Sequence, residues 1–205
     1  MDTWFYRIVK PLLDLLVLII FHPKVVGREN IPKKGPVVLA GNHTKWADPP
    51  VLCSVVRGRQ VHFLAKIELF SGPASIIAKG MGSIPVNRKI HDKGALSSAV
   101  EALKKDLCIG VFPESTINRS DDLTLPFKIG AVKMSHDANA TLVPFVITGK
   151  YNFIGKRVRI EFLKPLEVTD DLDETNERLR KTIEEGIVKN GGKHGKQKEK
   201  QHDNL

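Results

Sequence analysis

From residue 37 to residue 162 the chain alternates short apolar, β-branched runs with longer stretches of helical periodicity. Runs at Val37–Ala40, Val61–Ala65, Ser83–Val86, Leu107–Phe112, Leu142–Ile147 and Val158–Phe162 predict strands. Lys93–Asp106 sets Leu96, Ala99, Val100 and Leu103 on one helical stripe, and Asp173–Lys189 does the same with Leu179, Ile183 and Ile187. Strands alternating with helices predict an α/β fold: a single domain with a mixed, largely parallel central sheet flanked by helices.

The ends depart from this alternation. Residues 1–22 gather Trp4, Phe5, Tyr6, Arg7 and Lys10 ahead of the apolar run Leu15–Phe21. Aromatic and basic side chains beside an apolar run have the composition of a membrane interface, yet the run is far short of the roughly 20 residues that span a bilayer. An N-terminal membrane-interface helix over 1–22 is expected, the competing reading being a helix buried in the core. No small-residue cleavage pattern follows it, which argues against a signal peptide. Residues 189–205 carry five lysines and almost no apolar side chain, so a basic disordered tail is expected there. Residues 23–188 then form the one folded domain, with no linker or repeat inside it.

Composition adds the setting. A chain of 205 residues that is 41% hydrophobic can bury one sizeable core. Cys53 and Cys108 lie in apolar stretches without the spacing of a zinc site or a disulfide framework, which fits a reducing, cytosolic environment and no metal site. The net charge of +9 favours an anionic partner: nucleic acid, a phospholipid surface or a phosphorylated small molecule. With 6% aromatic residues and no RNA-binding motif or zinc-finger spacing, no nucleic-acid partner is expected.

Candidate chemistry sits at strand ends. Gly41–Pro50 puts His43 and Asp48 five residues apart, after a strand and before a helix, with Asp48-Pro49 read as an N-cap followed by proline at N1. Five helical residues turn the chain by roughly 500°, so a loop must intervene for the two to meet as general base and orienter. The spacing is weak by itself: 7 His and 12 Asp in 205 residues give about 0.4 such pairs by chance. The plainer alternative is a capping aspartate beside a loop histidine. Position adds weight, because open α/β sheets bind ligands beyond the carboxyl ends of their strands. Lys66 follows the second run, Asn87-Arg88 the third, and Glu114, Ser115 and Thr116 the fourth.

Four segments, in order, resemble the 1-acylglycerol-3-phosphate acyltransferases (lysophosphatidic acid acyltransferases) of the glycerolipid acyltransferase family. Asn42-His43-Thr44-Lys45-Trp46-Ala47-Asp48 is similar to that family's first motif and Gly82-Ser83-Ile84-Pro85-Val86-Asn87-Arg88 to its second. Phe112-Pro113-Glu114-Ser115-Thr116 resembles the third and Leu142-Val143-Pro144-Phe145-Val146 the fourth, so the likeness covers roughly residues 24–165. The third motif departs from the family: Ser115 stands where glycine is usual, and Arg119 matches the motif's arginine only across a two-residue insertion.

The resemblance implies transfer of an acyl chain from a thioester, acyl-CoA or acyl-acyl-carrier protein, to the sn-2 hydroxyl of lysophosphatidic acid, with no other cofactor. It implies His43 as general base, Asp48 as its orienter, no covalent intermediate, and Lys66, Arg88 and Arg119 as cations for substrate phosphate. Glu114 would position glycerol hydroxyls or Arg88, Pro144 would shape its strand end near the donor cleft, and Ser115 and Thr116 would border the anion site. Peripheral or monotopic attachment to the cytoplasmic face of the membrane follows from a bilayer substrate. Alternatives are another lysophospholipid or glycerol-3-phosphate as acceptor, a catalytically weakened lipid-binding protein, and a hydrolase using Ser115 or Cys108 as nucleophile.

Overall fold

Val37–Gly41 is buried along its whole length and forms the central strand of the fold, as a continuous apolar run in a sheet covered on both faces should. In the computed structural model, which describes residues 4–72, 75, 79, 82–86, 93–151 and 157–191, this strand is β2. The others are β1 (Lys24–Val26), β3 (Val61–Lys66), β4 (Ile84–Val86), β5 (Cys108–Val111), β6 (Thr141–Thr148) and β7 (Arg159–Phe162), in the order β1-β7-β6-β2-β5-β3-β4. Neighbours from β6 across to β4 pair in parallel. β7 runs antiparallel to β6, and β1 runs parallel to β7, so these two strands oppose the rest.

Helices α1 (Trp4–Phe21), α2 (Asp48–Val55), α3 (Lys93–Leu103), α4 (Gly130–Asp137) and α5 (Leu172–Lys189) cover the faces. Alternate residues of β2 feed two separate cores. Val37 and Leu39 pack with Val51, Leu52 and Phe145 on the α2 face, while Val38 and Ala40 pack with Leu103, Val132, Leu179 and Ile183 on the face of α3, α4 and α5. This is the expected mixed, largely parallel sheet flanked by helices.

The differences from the sequence reading are local. β1 is a seventh strand, too short at three residues to carry a periodic signal. α3 ends at Leu103 rather than Asp106 because Asp106 enters the left-handed region at φ 60°. Its N–H bonds to the Leu103 carbonyl at 2.8 Å, and the Leu107 N–H to the Ala102 carbonyl at 3.3 Å, which is the paired closure of a Schellman turn. Asp48 is also not the N-cap of α2. Ala47 holds that place, and Asp48 is the first helical residue, without a side-chain cap bond. A cap must reach forward to free N–H groups, and Pro49 and Pro50 have none, so the carboxylate turns back to the preceding loop.

α1 is amphipathic in an inverted sense. Its inward face carries Lys10 and Asp14, joined by an ion pair of 2.6 Å, together with buried Val17 and half-buried Phe21. Ile8, Leu12, Leu15, Leu16, Ile19 and Ile20 are exposed on the other side. Among the described residues no helix is long and apolar enough to cross a membrane. The expected tail is described only as far as Gly191; residues 192–205 lie outside the described residues.

Candidate active site

Three adjacent parallel strands, β5, β2 and β6, end at one sheet edge, and the segment after each contributes to a single cluster. Asn42, leaving β2, is clamped to the neighbouring strand: its Nδ2 donates to the Ile147 carbonyl at 2.9 Å and its Oδ1 accepts the Ile147 N–H at 2.7 Å. Gly41 must lack a side chain, since a Cβ there would overlap the Phe145 ring. The backbone entering His43 is therefore fixed.

His43 Nδ1 lies 2.8 Å from Asp48 Oδ2, across the loop that the five-residue spacing requires. The same oxygen accepts the N–H groups of Thr44 at 2.6 Å and Lys45 at 2.8 Å. Oδ1 accepts the Thr44 hydroxyl at 3.2 Å and the phenol of Tyr151. With Asp48 wholly buried and acting only as acceptor, Nδ1 of His43 carries the hydrogen between them. Phe112 stacks on the imidazole at 4.2 Å, 18° from parallel, which sets the plane of the ring. The His43 side chain is 16% exposed, so the braced imidazole still meets solvent.

Glu114 is buried and both of its oxygens accept backbone N–H groups, Oε1 from His43 at 2.8 Å and Oε2 from Leu125 at 2.7 Å. Burial pushes its carboxyl above the usual carboxylate value, and those two bonds pull the other way. The His43 carbonyl in turn accepts the Asn118 N–H at 2.8 Å, so the loop after β5 holds His43 at both backbone atoms. Ser115 sits at φ 60°, the region that favours the family's usual glycine, and its Oγ is 3.5 Å from the Pro113 carbonyl. Thr116 and Arg119 are exposed on the same loop. Pro144 lies within β6, paired with Ala40 of β2.

Beside His43 opens a pocket of about 230 Å³, walled by Asn118, Ser120 and Asp122 after β5, Thr148 and Gly149 at the end of β6, and Ile187 of α5. Arg119 does not line it. Lys66 is the last residue of β3, opposite Val86 of β4, so both backbones leave the sheet at the His43 edge. The Lys66 side chain and the whole of Arg88 lie outside the described residues. Among the described residues no group of three or more His, Cys, Asp or Glu side chains assembles that would hold a metal.

Tyr151, Phe112 and Asn118 belong to this cluster without having been singled out from the sequence. Tyr151 is 103 positions from Asp48, in a polar stretch without a recognisable pattern; only the pairing of β6 with β2 brings it there. Cys108 is buried, and burial pushes its thiol up to about 12, which leaves no thiolate to act as a nucleophile.

Residues 22–148 match a family model described as Acyltransferase. A 1-acyl-sn-glycerol-3-phosphate acyltransferase of Borreliella burgdorferi is 35% identical over 137 residues, 65% of this chain and 54% of its own length. The enzyme of that name from Bacillus subtilis is 29% identical over 152 residues, covering 72% of this chain and 75% of its own. Human 1-acyl-sn-glycerol-3-phosphate acyltransferase alpha is 30% identical over 151 residues, 72% of this chain and 53% of its own. The chain thus spans about half the length of the Borreliella and human relatives. Its backbone superposes on the crystal structure of a 1-acyl-sn-glycerophosphate acyltransferase from Thermotoga maritima with a TM-score of 0.74, at 21% identity over 91% of this chain and 81% of that one. At that identity the likeness establishes the fold.

Proposed function

The chain belongs to the acyltransferase family, and from that premise we propose that it transfers a fatty acyl chain from a thioester to the free sn-2 hydroxyl of lysophosphatidic acid, yielding phosphatidic acid for phospholipid synthesis. His43 Nε2 takes the hydroxyl proton as that oxygen attacks the thioester carbonyl. The new C–O bond forms, the C–S bond breaks, and the imidazolium returns its proton to the departing thiolate. Asp48 holds Nδ1–H and stabilises the imidazolium while charge passes through the ring. The thioester is already activated, so no acyl-enzyme is needed; alignment of two bound substrates supplies much of the acceleration.

Acyl-CoA and acyl-acyl-carrier protein present the same reacting carbonyl, and either serves as donor in this mechanism. Lys66 and Arg88 take the acceptor phosphate, with Ser115, Thr116 and Arg119 at the border of that site. Glu114 acts on the loop that carries His43. The acceptor is a bilayer lipid, and the outward apolar face of α1 supports a peripheral or monotopic position on the cytoplasmic face of the membrane.

The observation that carries this reading is the 2.8 Å contact between His43 Nδ1 and a buried Asp48 whose other hydrogen bonds leave it no other orientation. Replacing His43 by alanine tests it, with labelled acyl thioester and lysophosphatidic acid as substrates. Turnover is expected to fall at least about 1,000-fold with the thermal midpoint within a few degrees of the parent. A variant that still turns over at the parental rate sinks the mechanism, and the same assay with glycerol-3-phosphate or other lysophospholipids identifies the preferred acceptor.

A further inference from the structure

At the end of the sheet opposite His43 a second hollow, about 450 Å³, lies under the last turn of α2. Its walls are Arg28, Glu29, Ile31, Pro32, Lys33 and Arg57. Arg28 is held in place by its Nε–H, which donates to the Val55 carbonyl at 2.8 Å, so the two terminal nitrogens of its fork are left for another partner. Lys10, Lys133, Arg159, Arg180 and Lys189 each pair with a carboxylate. Among the described residues Arg28, Lys33 and Arg57 form no ion pair, as other exposed cations such as Lys104 and Lys181 do not, and Glu29 shares their hollow. Burial and the nearby charge of Arg57 both lower the Arg28 pKa, so the fold keeps these guanidiniums together against their repulsion.

α1 places this hollow against a particular surface. Phe21, at its end, packs on Tyr151, which bonds Asp48 at the start of α2. Lys10 and Asp14, earlier in α1, act electrostatically on Cys53 near the end of α2. α1 therefore runs antiparallel to α2, and Arg28 bonds Val55 at the end of α2 away from Asp48. α1, with its outward apolar face, covers the same side of the sheet as α2 and Ile31, whose core cluster includes Val17.

We propose that the Arg28–Lys33–Arg57 hollow binds the headgroup phosphate of an anionic phospholipid in the bilayer on which α1 lies. The inference rests on the interfacial reading of α1. Guanidinium forks match phosphate oxygens two at a time, Lys33 adds a mobile point charge, and Ile31 and Pro32 give the glyceryl carbons an apolar flank. A bilayer source is favoured over a soluble anion because the hollow lies on the same side of the sheet as α1, whose outward face is apolar.

The full chain is tested by co-sedimentation with phosphatidylcholine vesicles, neutral or containing about one-fifth phosphatidylglycerol. The variant R28Q/K33Q/R57Q is expected to bind anionic vesicles about tenfold more weakly and neutral vesicles as the parent does. A control triple at exposed lysines elsewhere, K104Q/K105Q/K181Q, is expected to stay within about twofold of the parent on both. The Arg57→Gln variant alone, changing an exposed side chain, is expected to show a twofold to threefold loss, roughly its share of the triple, should the triple fail to fold.

Equal loss in the control triple would reduce the effect to net charge and overturn the site. Equal loss on neutral vesicles would do the same, as would parental binding of the triple to anionic vesicles. Transfer to detergent-dispersed lysophosphatidic acid separates this proposal from the function it rests on. The triple is expected to keep the parental rate there, and absence of transfer by the parent itself would strike the acyltransferase reading instead.

Discussion

At Ser115 the backbone turns through φ 60°, where a Cβ crowds its neighbouring carbonyl at a cost of about 1–2 kcal/mol. The hydroxyl recovers little, its one partner among the described residues being the Pro113 carbonyl at 3.5 Å. Ser115→Gly removes the strain but loosens the unfolded chain by about 0.5–1 kcal/mol, so a net gain of roughly 0.5–1 kcal/mol is expected in urea denaturation. A loss of stability instead would assign real weight to the long hydroxyl contact. The residue's identity was readable from the motif, and so was the oddity of serine there. Its left-handed backbone was not, because φ depends on the closure of a loop whose carboxylate, Glu114, is tied to His43, 71 positions earlier. Asp48 teaches the same lesson: its partnership with His43 was legible from spacing and context, while its place inside the helix was decided by two prolines that offer no N–H to cap.

α1 shows what an element reveals when its buried and exposed faces are known. Its apolar run admits two readings, interfacial or core, and both would display the same periodicity. Lys10 and Asp14 face the protein and six aliphatic side chains face out, so the helix is not buried in the core, and the interfacial reading belongs to the proposed function. Leu12, Leu15 and Ile19 are 60%, 54% and 48% exposed, so their removal leaves the core intact. Each has on the order of 1 kcal/mol to gain by entering a bilayer. The variant L12S/L15S/I19S is therefore expected to bind neutral phosphatidylcholine vesicles about 100-fold more weakly, with the thermal midpoint unchanged. Parental affinity on neutral vesicles would remove α1 as the anchor. Six of the seven strands and the long α5 were legible because each runs long enough to display a period; β1, three residues at a sheet edge, was not.

At the scale of the whole molecule the site is a product of strand order. His43 follows β2, Glu114 follows β5 and Tyr151 follows β6, and they converge only because β5 and β6 both pair with β2 in parallel. Sequence could place each segment at a strand end, but not decide which strands are neighbours, so Tyr151 had no signal to mark it. Its phenol completes the bonds on Asp48 Oδ1, and its ring meets Phe21 edge-on at 5.1 Å, joining the end of α1 to the His43–Asp48 pair. Tyr151→Phe keeps the ring and removes the hydroxyl. A hydrogen bond to a charged carboxylate contributes about 1.5–3 kcal/mol, and only part of it falls on the orientation of Asp48 during transfer. Turnover is expected to drop about tenfold, while KM for thioester and for lysophospholipid each stay within about twofold, since the phenol acts on the pair and not on either substrate. A merely structural brace would lower the thermal midpoint and leave kcat alone, and that result would confine the role of Tyr151 to holding α1 against the domain.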